Sequence, residues 1–180
     1  VMRSGSWQGK TVGLVAFLII VGMGFAANTP TQIAAWKEAA SSGDATAQWN
    51  LAKAYENRDG VDSDPGRELT WKHSAAEGGV AEAQYSLAAN YFQGELGLSR
   101  DVRAAVTWLR RAALQGHIEA SYRLGEITFH GLGGEKVNYA QAAAAMKKPA
   151  AEDYRDAGMY LGYLKFTGLG MTKNQEEGAA

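Results

Sequence analysis

The chain has 180 residues, of which 46% are hydrophobic and 21% charged, so it can bury a core and is not a disordered polymer. Its 18 Lys and Arg residues nearly balance 19 Asp and Glu residues, and the net charge of −1 does not favour nucleic acid or acidic lipid as a partner. Cysteine is absent, which excludes disulfide bonds, thiolate zinc sites and cysteine nucleophiles.

The amino-terminal segment has the layout of a secretory signal. Arg3 and Lys10 precede an uncharged run of 17 residues, 11–27, which ends in small residues. Gly24 and Ala26 suit the signal peptidase site, so residues 1–26 are predicted to be removed. An uncleaved membrane anchor is the alternative, but the run is short for the roughly 20 apolar residues of a spanning helix. The mature protein is therefore expected in the periplasm or outside the cell.

Residues 27–43 are predicted to form a half-repeat that caps the front of the molecule. A helix is expected from Thr31 to Ser42. Its paired alanines and the glycine at position 43 stand 36 residues before an equivalent set, Ala75, Ala76 and Gly79.

The rest of the chain, 44–180, repeats one pattern. A leucine recurs at spacings of 36, 37 and 37 residues, each time four residues after an alanine. These leucines are Leu51, Leu87, Leu124 and Leu161. The predicted units are 44–80, 81–117, 118–154 and a partial unit, 155–180.

Each unit is predicted to be helix, turn, helix. Glycine closes the first helix at Gly94, Gly131 and Gly168, and the residues Asp64, Asp101 and Asn138 suit the N-cap of the second helix. The small residues let helix backbones approach closely, while Leu, Trp and Tyr fill the space between neighbouring pairs. One pair cannot bury that face alone, so stacking into a solenoid is expected.

The second unit carries the pattern most completely. Its matching positions are Ala83, Tyr85, Leu87, Tyr91, Gly94, Asp101, Ala104, Trp108, Ala112, Ala113 and Gly116. This pattern resembles the Sel-one-like repeat, a relative of the tetratricopeptide repeat, over about residues 31–180. The resemblance implies an all-α fold, a right-handed superhelical solenoid of antiparallel helix-turn-helix repeats, and a scaffold that binds a protein or peptide.

Three residues depart from the pattern. Arg58 replaces the first turn glycine, and Ala145 replaces the aromatic residue of the third unit. Pro149 stands where the first of two paired alanines is expected, and it removes a helical N–H. The helix is therefore predicted to kink or stop near Lys147 and Lys148.

No catalytic, cofactor or metal site is expected. His73, His117 and His130 lie in different units without a ligand spacing, and neither a nucleophile with its base nor a glycosidase carboxylate pair can be placed. The predicted function is an exported scaffold for protein–protein interaction in the bacterial envelope or outside the cell. The alternative is a cell-wall-directed or β-lactam-related envelope enzyme or its accessory factor, although the secreted relatives linked to β-lactams resemble disulfide-rich chains.

A partner surface is predicted on the first helices. Counted from the alanine of each unit, positions 3, 6 and 10 fall on the side opposite the packed positions. The candidate residues are Asn50, Lys53, Asn57, Ser86, Gln93, Arg123, Glu126, His130, Tyr160 and Tyr163. The hypothesis is a peptide anchored by the two tyrosines and oriented by Arg123 and Lys53. Sequence drift on a solvated face, and tyrosines that cover an uncapped end, are the competing explanations.

The last unit is predicted to be incomplete. Its first helix, about 155–167, presents Leu161, Leu164 and Phe166, while only residues 174–180 remain to cover it. Solenoids ordinarily finish with a polar cap. The expectation is that the chain is a shortened relative of longer proteins or self-associates through this end.

Overall fold

The computed structural model describes residues 28–171, and this part of the chain contains eight α-helices, one short 3-10 helix and no strand. The α-helices are α1 (Pro30–Ser41), α2 (Ala45–Asn57), α3 (Pro65–Glu77), α4 (Ala81–Gln93), α5 (Val102–Leu114), α6 (Ile118–His130), α7 (Tyr139–Ala151) and α8 (Arg155–Thr167). The 3-10 helix, Leu132–Gly134, follows α6. The predicted signal, 1–26, and the segment 174–180 lie outside the described residues.

Each helix packs chiefly on the next one along the chain, which is the packing of a repeat solenoid. The all-α fold predicted from the repeats is therefore confirmed. Helix α1 covers the front of α2 with Ile33 and Ala40, which are buried in one cluster with Leu51. Among residues 28–171, no helix is long and apolar enough to cross a membrane.

The helix ends are where the local sequence predicts them. The second helix of each pair begins at a side-chain cap, because Asp64, Asp101 and Asn138 accept hydrogen bonds from backbone N–H groups of the first turn. Helices α4, α6 and α8 end at a left-handed glycine: Gly94, Gly131 and Gly168. Arg58 adopts the same left-handed conformation at the end of α2, with φ of 55°, so the turn is kept without its glycine.

Three of the four repeated leucines and the repeated alanines form the core between pairs. In the last unit Leu161 is only half-buried, and Leu164, which was expected to be presented, is fully buried. Leu51 and Leu87 are fully buried, and so are the paired alanines Ala75 and Ala76. Polar side chains also connect the units: Gln48 Nε2 donates to Ala40 O, and Gln84 Nε2 donates to Ala76 O. These bonds tie the start of a unit to the end of the preceding one.

The predicted stop near Lys147 and Lys148 is wrong. Helix α7 continues through Pro149 to Ala151. Pro149 is fully buried, and its carbonyl accepts hydrogen bonds from the backbone N–H groups of Glu152 and Tyr154. Burial of the ring and bonding of the following turn thus offset the missing proline donor.

Candidate functional site

Two neighbouring cavities lie on the first helices of units two to four. The first, about 540 Å³, lies between α4 and α6; we call it the aliphatic pocket. The second, about 600 Å³, lies between α6 and α8; we call it the tyrosine pocket. Glu126 of α6 lines both cavities, so they adjoin, and together they form the groove discussed below.

The aliphatic pocket combines an apolar lining with polar side chains. Its apolar members come from both units and the turn after α6, and they are Tyr85, Ala88, Ala89, Phe92, Leu109, Ile127 and Leu132. Its polar members are Gln93, Arg123, Glu126 and His130. A lining of this kind suits an apolar side chain flanked by hydrogen-bonding groups.

Aromatic rings dominate the tyrosine pocket. Phe129 of α6 meets Tyr160 and Tyr163 of α8 edge to face, with ring centroids 4.9 Å and 5.9 Å apart. Tyr122 and Met159 complete the apolar lining, while the carboxylates of Glu126 and Asp156 supply its polar groups.

Glu126 organises the boundary between the two pockets. Tyr122 donates its hydroxyl to Glu126 Oε1 at 2.8 Å, and Arg123 Nη1 donates to Oε2 at 2.7 Å. Burial raises the pKa of Tyr122 above its ordinary range, and the hydrogen bond and negative charge of Glu126 add to the shift. The hydrogen bond to Glu126 likewise raises the pKa of Arg123. At neutral pH the phenol is therefore protonated and the guanidinium charged.

His130 links the two first helices that frame the tyrosine pocket. Its Nε2 shares a hydrogen bond of 3.1 Å with the hydroxyl of Tyr160. Burial raises the pKa of Tyr160, followed by the charges of Glu126 and Asp156. The bond holds the Tyr160 ring beside Phe129.

Six of the ten predicted partner-binding residues lie in the groove. Gln93, Arg123 and His130 line the aliphatic pocket, Tyr160 and Tyr163 line the tyrosine pocket, and Glu126 lines both.

The other four candidates, Asn50, Lys53, Asn57 and Ser86, line neither pocket. Lys53 Nζ lies 5.6 Å from the ring centroid of Trp49. The structure thus places the candidates along the first helices without gathering all of them at one cavity, and their role in partner binding stays a prediction.

The apolar lining of the groove was not predicted from the sequence. Tyr85, Tyr122 and Met159 stand two residues after the unit alanine, while Phe92 and Phe129 stand nine residues after it. At 100° per residue these positions lie at about 200° and 180°, next to position 6 at about 240°. An aromatic residue recurring at both positions was the available signal.

The histidines have local roles. His117 Nδ1 caps α6 by accepting from Ala120 N, and its ring stacks on Tyr85 with centroids 4.7 Å apart. His73 lies edge-on to Trp108. Within the described part of the chain, no group of three or more His, Cys, Asp or Glu side chains is placed to hold a metal ion.

Comparison with known proteins identifies the repeats. The family model described as Sel1 repeat matches residues 45–80, 81–117, 118–144 and 156–180. A search of curated proteins found no match.

Two solved structures share the fold. The chain is 31% identical to a protective antigen present in uropathogenic Escherichia coli strains that displays an SLR fold, with a TM-score of 0.72 over 82% of this chain and 31% of that chain. It is 27% identical to a Sel1 repeat protein from Oxalobacter formigenes, with a TM-score of 0.74 over 82% of this chain and 60% of that chain. The chain thus spans less than two thirds of either structure.

Proposed function

Because the chain belongs to the Sel1 repeat family, whose members generally mediate protein–protein interaction, we propose that it is a scaffold whose groove binds a peptide segment of a partner protein. The observation that carries the proposal is the pair of adjoining pockets on α4, α6 and α8. Membership in the family supports protein–protein interaction as the class of function, and the groove supports a binding site on α4, α6 and α8.

The dimensions of the groove suit a peptide. Each pocket, about 540 Å³ and 600 Å³, falls within the 300–1,000 Å³ typical of ligand sites. An extended segment places side chains at regular intervals, so two neighbouring pockets can each hold one of them. Aromatic and arginine side chains, which dominate binding hot spots, are present at Tyr160, Tyr163 and Arg123.

Peptides that bind the groove can be obtained by selection from a displayed random peptide library. We expect Tyr163→Ala to weaken binding of a selected peptide by about tenfold or more, because this ring is a wall of the tyrosine pocket. Phe166→Ala is the matched control: both side chains lie on α8 with about half their surface exposed, 51% and 50%, and Phe166 does not line the pocket. Isothermal titration calorimetry gives the affinities.

The double variant Tyr160→Ala and Tyr163→Ala should weaken binding further while far-ultraviolet circular dichroism is unchanged. It also removes two ring contacts with Phe129, so a modest loss of stability is expected. Purified peptidoglycan, a ligand that fits the alternative cell-wall function, should not compete with the peptide. Equal binding by the Tyr163→Ala and Phe166→Ala variants, or competition by peptidoglycan, contradicts the proposal.

We further propose that the protein is exported to the periplasm or out of the cell. This localisation is supported by the basic residues Arg3 and Lys10, by the apolar run 11–27 and by the small residues Gly24 and Ala26. Amino-terminal sequencing of the protein from cell fractions should give a mature chain beginning at Ala27. Intact Val1 in the membrane fraction would instead indicate an uncleaved anchor.

A further inference from the structure

We propose that the tyrosine pocket receives the side chain of an arginine from the bound partner. This inference rests on the proposed function and specifies the chemistry of one position in the peptide. It follows from two features that the described lining of the pocket combines, aromatic rings and two carboxylates.

The walls suit a cation. Phe129, Tyr160 and Tyr163 present rings from two helices around one cavity, and Tyr122 adds a fourth ring. Aromatic faces attract cations, and a guanidinium group can also stack on them because it is planar. Met159 offers an adaptable apolar surface for the methylene groups of the arginine side chain.

The charge of the lining is negative. Asp156 and Glu126 are its carboxylates, and none of its described lining side chains is basic. Arg123 offsets part of the charge of Glu126, but it lines the aliphatic pocket instead. None of the ion pairs between side chains that the structure describes includes Asp156, and a carboxylate that lines this cavity can bond a guanidinium group.

The same field acts on the tyrosine hydroxyls. After burial, the charges of Glu126 and Asp156 contribute to raising the pKa of both Tyr122 and Tyr160. A negative potential that disfavours a phenolate favours a bound cation. An acidic partner side chain would be repelled by the same charges.

The test uses blocked amino acids as ligands. N-acetyl-arginine-N-methylamide and its neutral counterpart made from citrulline have nearly the same shape, so they differ chiefly in charge. The arginine ligand should shift the ring resonances of Tyr160 and Tyr163 saturably in nuclear magnetic resonance titrations. The citrulline ligand should bind about fivefold more weakly or worse.

Two acidic residues provide matched variants. Asp156→Asn should remove most of the preference for arginine over citrulline, because Asp156 lines the pocket. Asp153→Asn removes the same charge three residues earlier, outside the pocket lining, and asparagine tolerates the left-handed backbone found there. This control should keep the preference.

Several results would overturn the inference: equal binding of the two ligands, shifts confined to other surfaces, no binding of the arginine ligand, or the same loss in both aspartate variants. Tighter binding of choline than of blocked arginine would assign the pocket to a small quaternary ammonium ligand instead. Selected peptides that bind the groove with a neutral residue in the tyrosine pocket would refute the inference and leave the proposed function intact. Failure to select any groove-binding peptide would refute both.

Discussion

Replacing Leu87 by alanine should lower the free energy of unfolding by about 2–5 kcal/mol. Leu87 is the repeated leucine of the second unit, is 0% exposed, and lies in the largest buried cluster. The substitution removes buried methyl groups from a cluster built by α3, α4, α5 and α6, and the cavity that remains adds to the cost of the lost burial.

Leu114→Ala is the matched control. Leu114 lies in the last turn of α5 and is 89% exposed, so the same chemical change should alter stability by about 0.5 kcal/mol or less. Urea unfolding followed by circular dichroism measures both variants. Equal losses of unfolding free energy in the two variants would show that burial of the repeated leucine does not stabilise the solenoid.

Replacing Lys72 by alanine should lower the free energy of unfolding by a similar amount, about 3–5 kcal/mol. Lys72 is 0% exposed, and its Nζ donates to Glu68 Oε1 at 3.0 Å and to Asn90 Oδ1 at 3.1 Å. Removal of the ammonium group leaves the buried Glu68 carboxylate without its partner, and an uncompensated buried charge is strongly destabilising.

The surface pair Arg111 with Glu77 gives the control. It also joins two units, at 3.0 Å, but both side chains are about half exposed. Glu77→Gln should therefore cost about 1 kcal/mol or less in the same urea experiment. A Lys72→Ala variant as stable as Glu77→Gln would contradict the claim that the Lys72 ammonium group compensates the buried Glu68 carboxylate.

The sequence predicts helix ends well because they depend on nearby residues. The N-cap carboxylates Asp64 and Asp101 and the left-handed glycines Gly94 and Gly131 act within one turn, so their type and position suffice. Repetition of the pattern then fixes the stacking of the units, since each unit needs a neighbour to bury its leucine.

Features made by several elements are harder to predict. Glu68 and Lys72 stand at i and i+4, which in sequence is typical of an exposed helical ion pair. In the structure both are buried, and Lys72 Nζ also donates to Asn90 of the next unit. Pro149 shows the same limit, because packing and hydrogen bonding of the following turn outweigh its low helix propensity.

The groove was predictable only in part. Positions 3, 6 and 10, counted from the alanine of each unit, predicted several of its polar side chains and the two tyrosines of α8. Phe129 and Tyr122 were missed because aromatic residues next to a packed face are typical of a core. The pocket forms only when α6 stacks beside α8, which places the ring centroids of Phe129 and Tyr163 5.9 Å apart.

The most direct test of the central claim is to map a selected peptide on the protein by chemical shift perturbation. The account predicts that saturating peptide shifts signals from the groove on α4, α6 and α8, including Phe92, Ile127 and Tyr163, and leaves the exposed Leu114 of α5 unchanged. Shifts concentrated on the second helices α3, α5 and α7, with the groove unaffected, would contradict it.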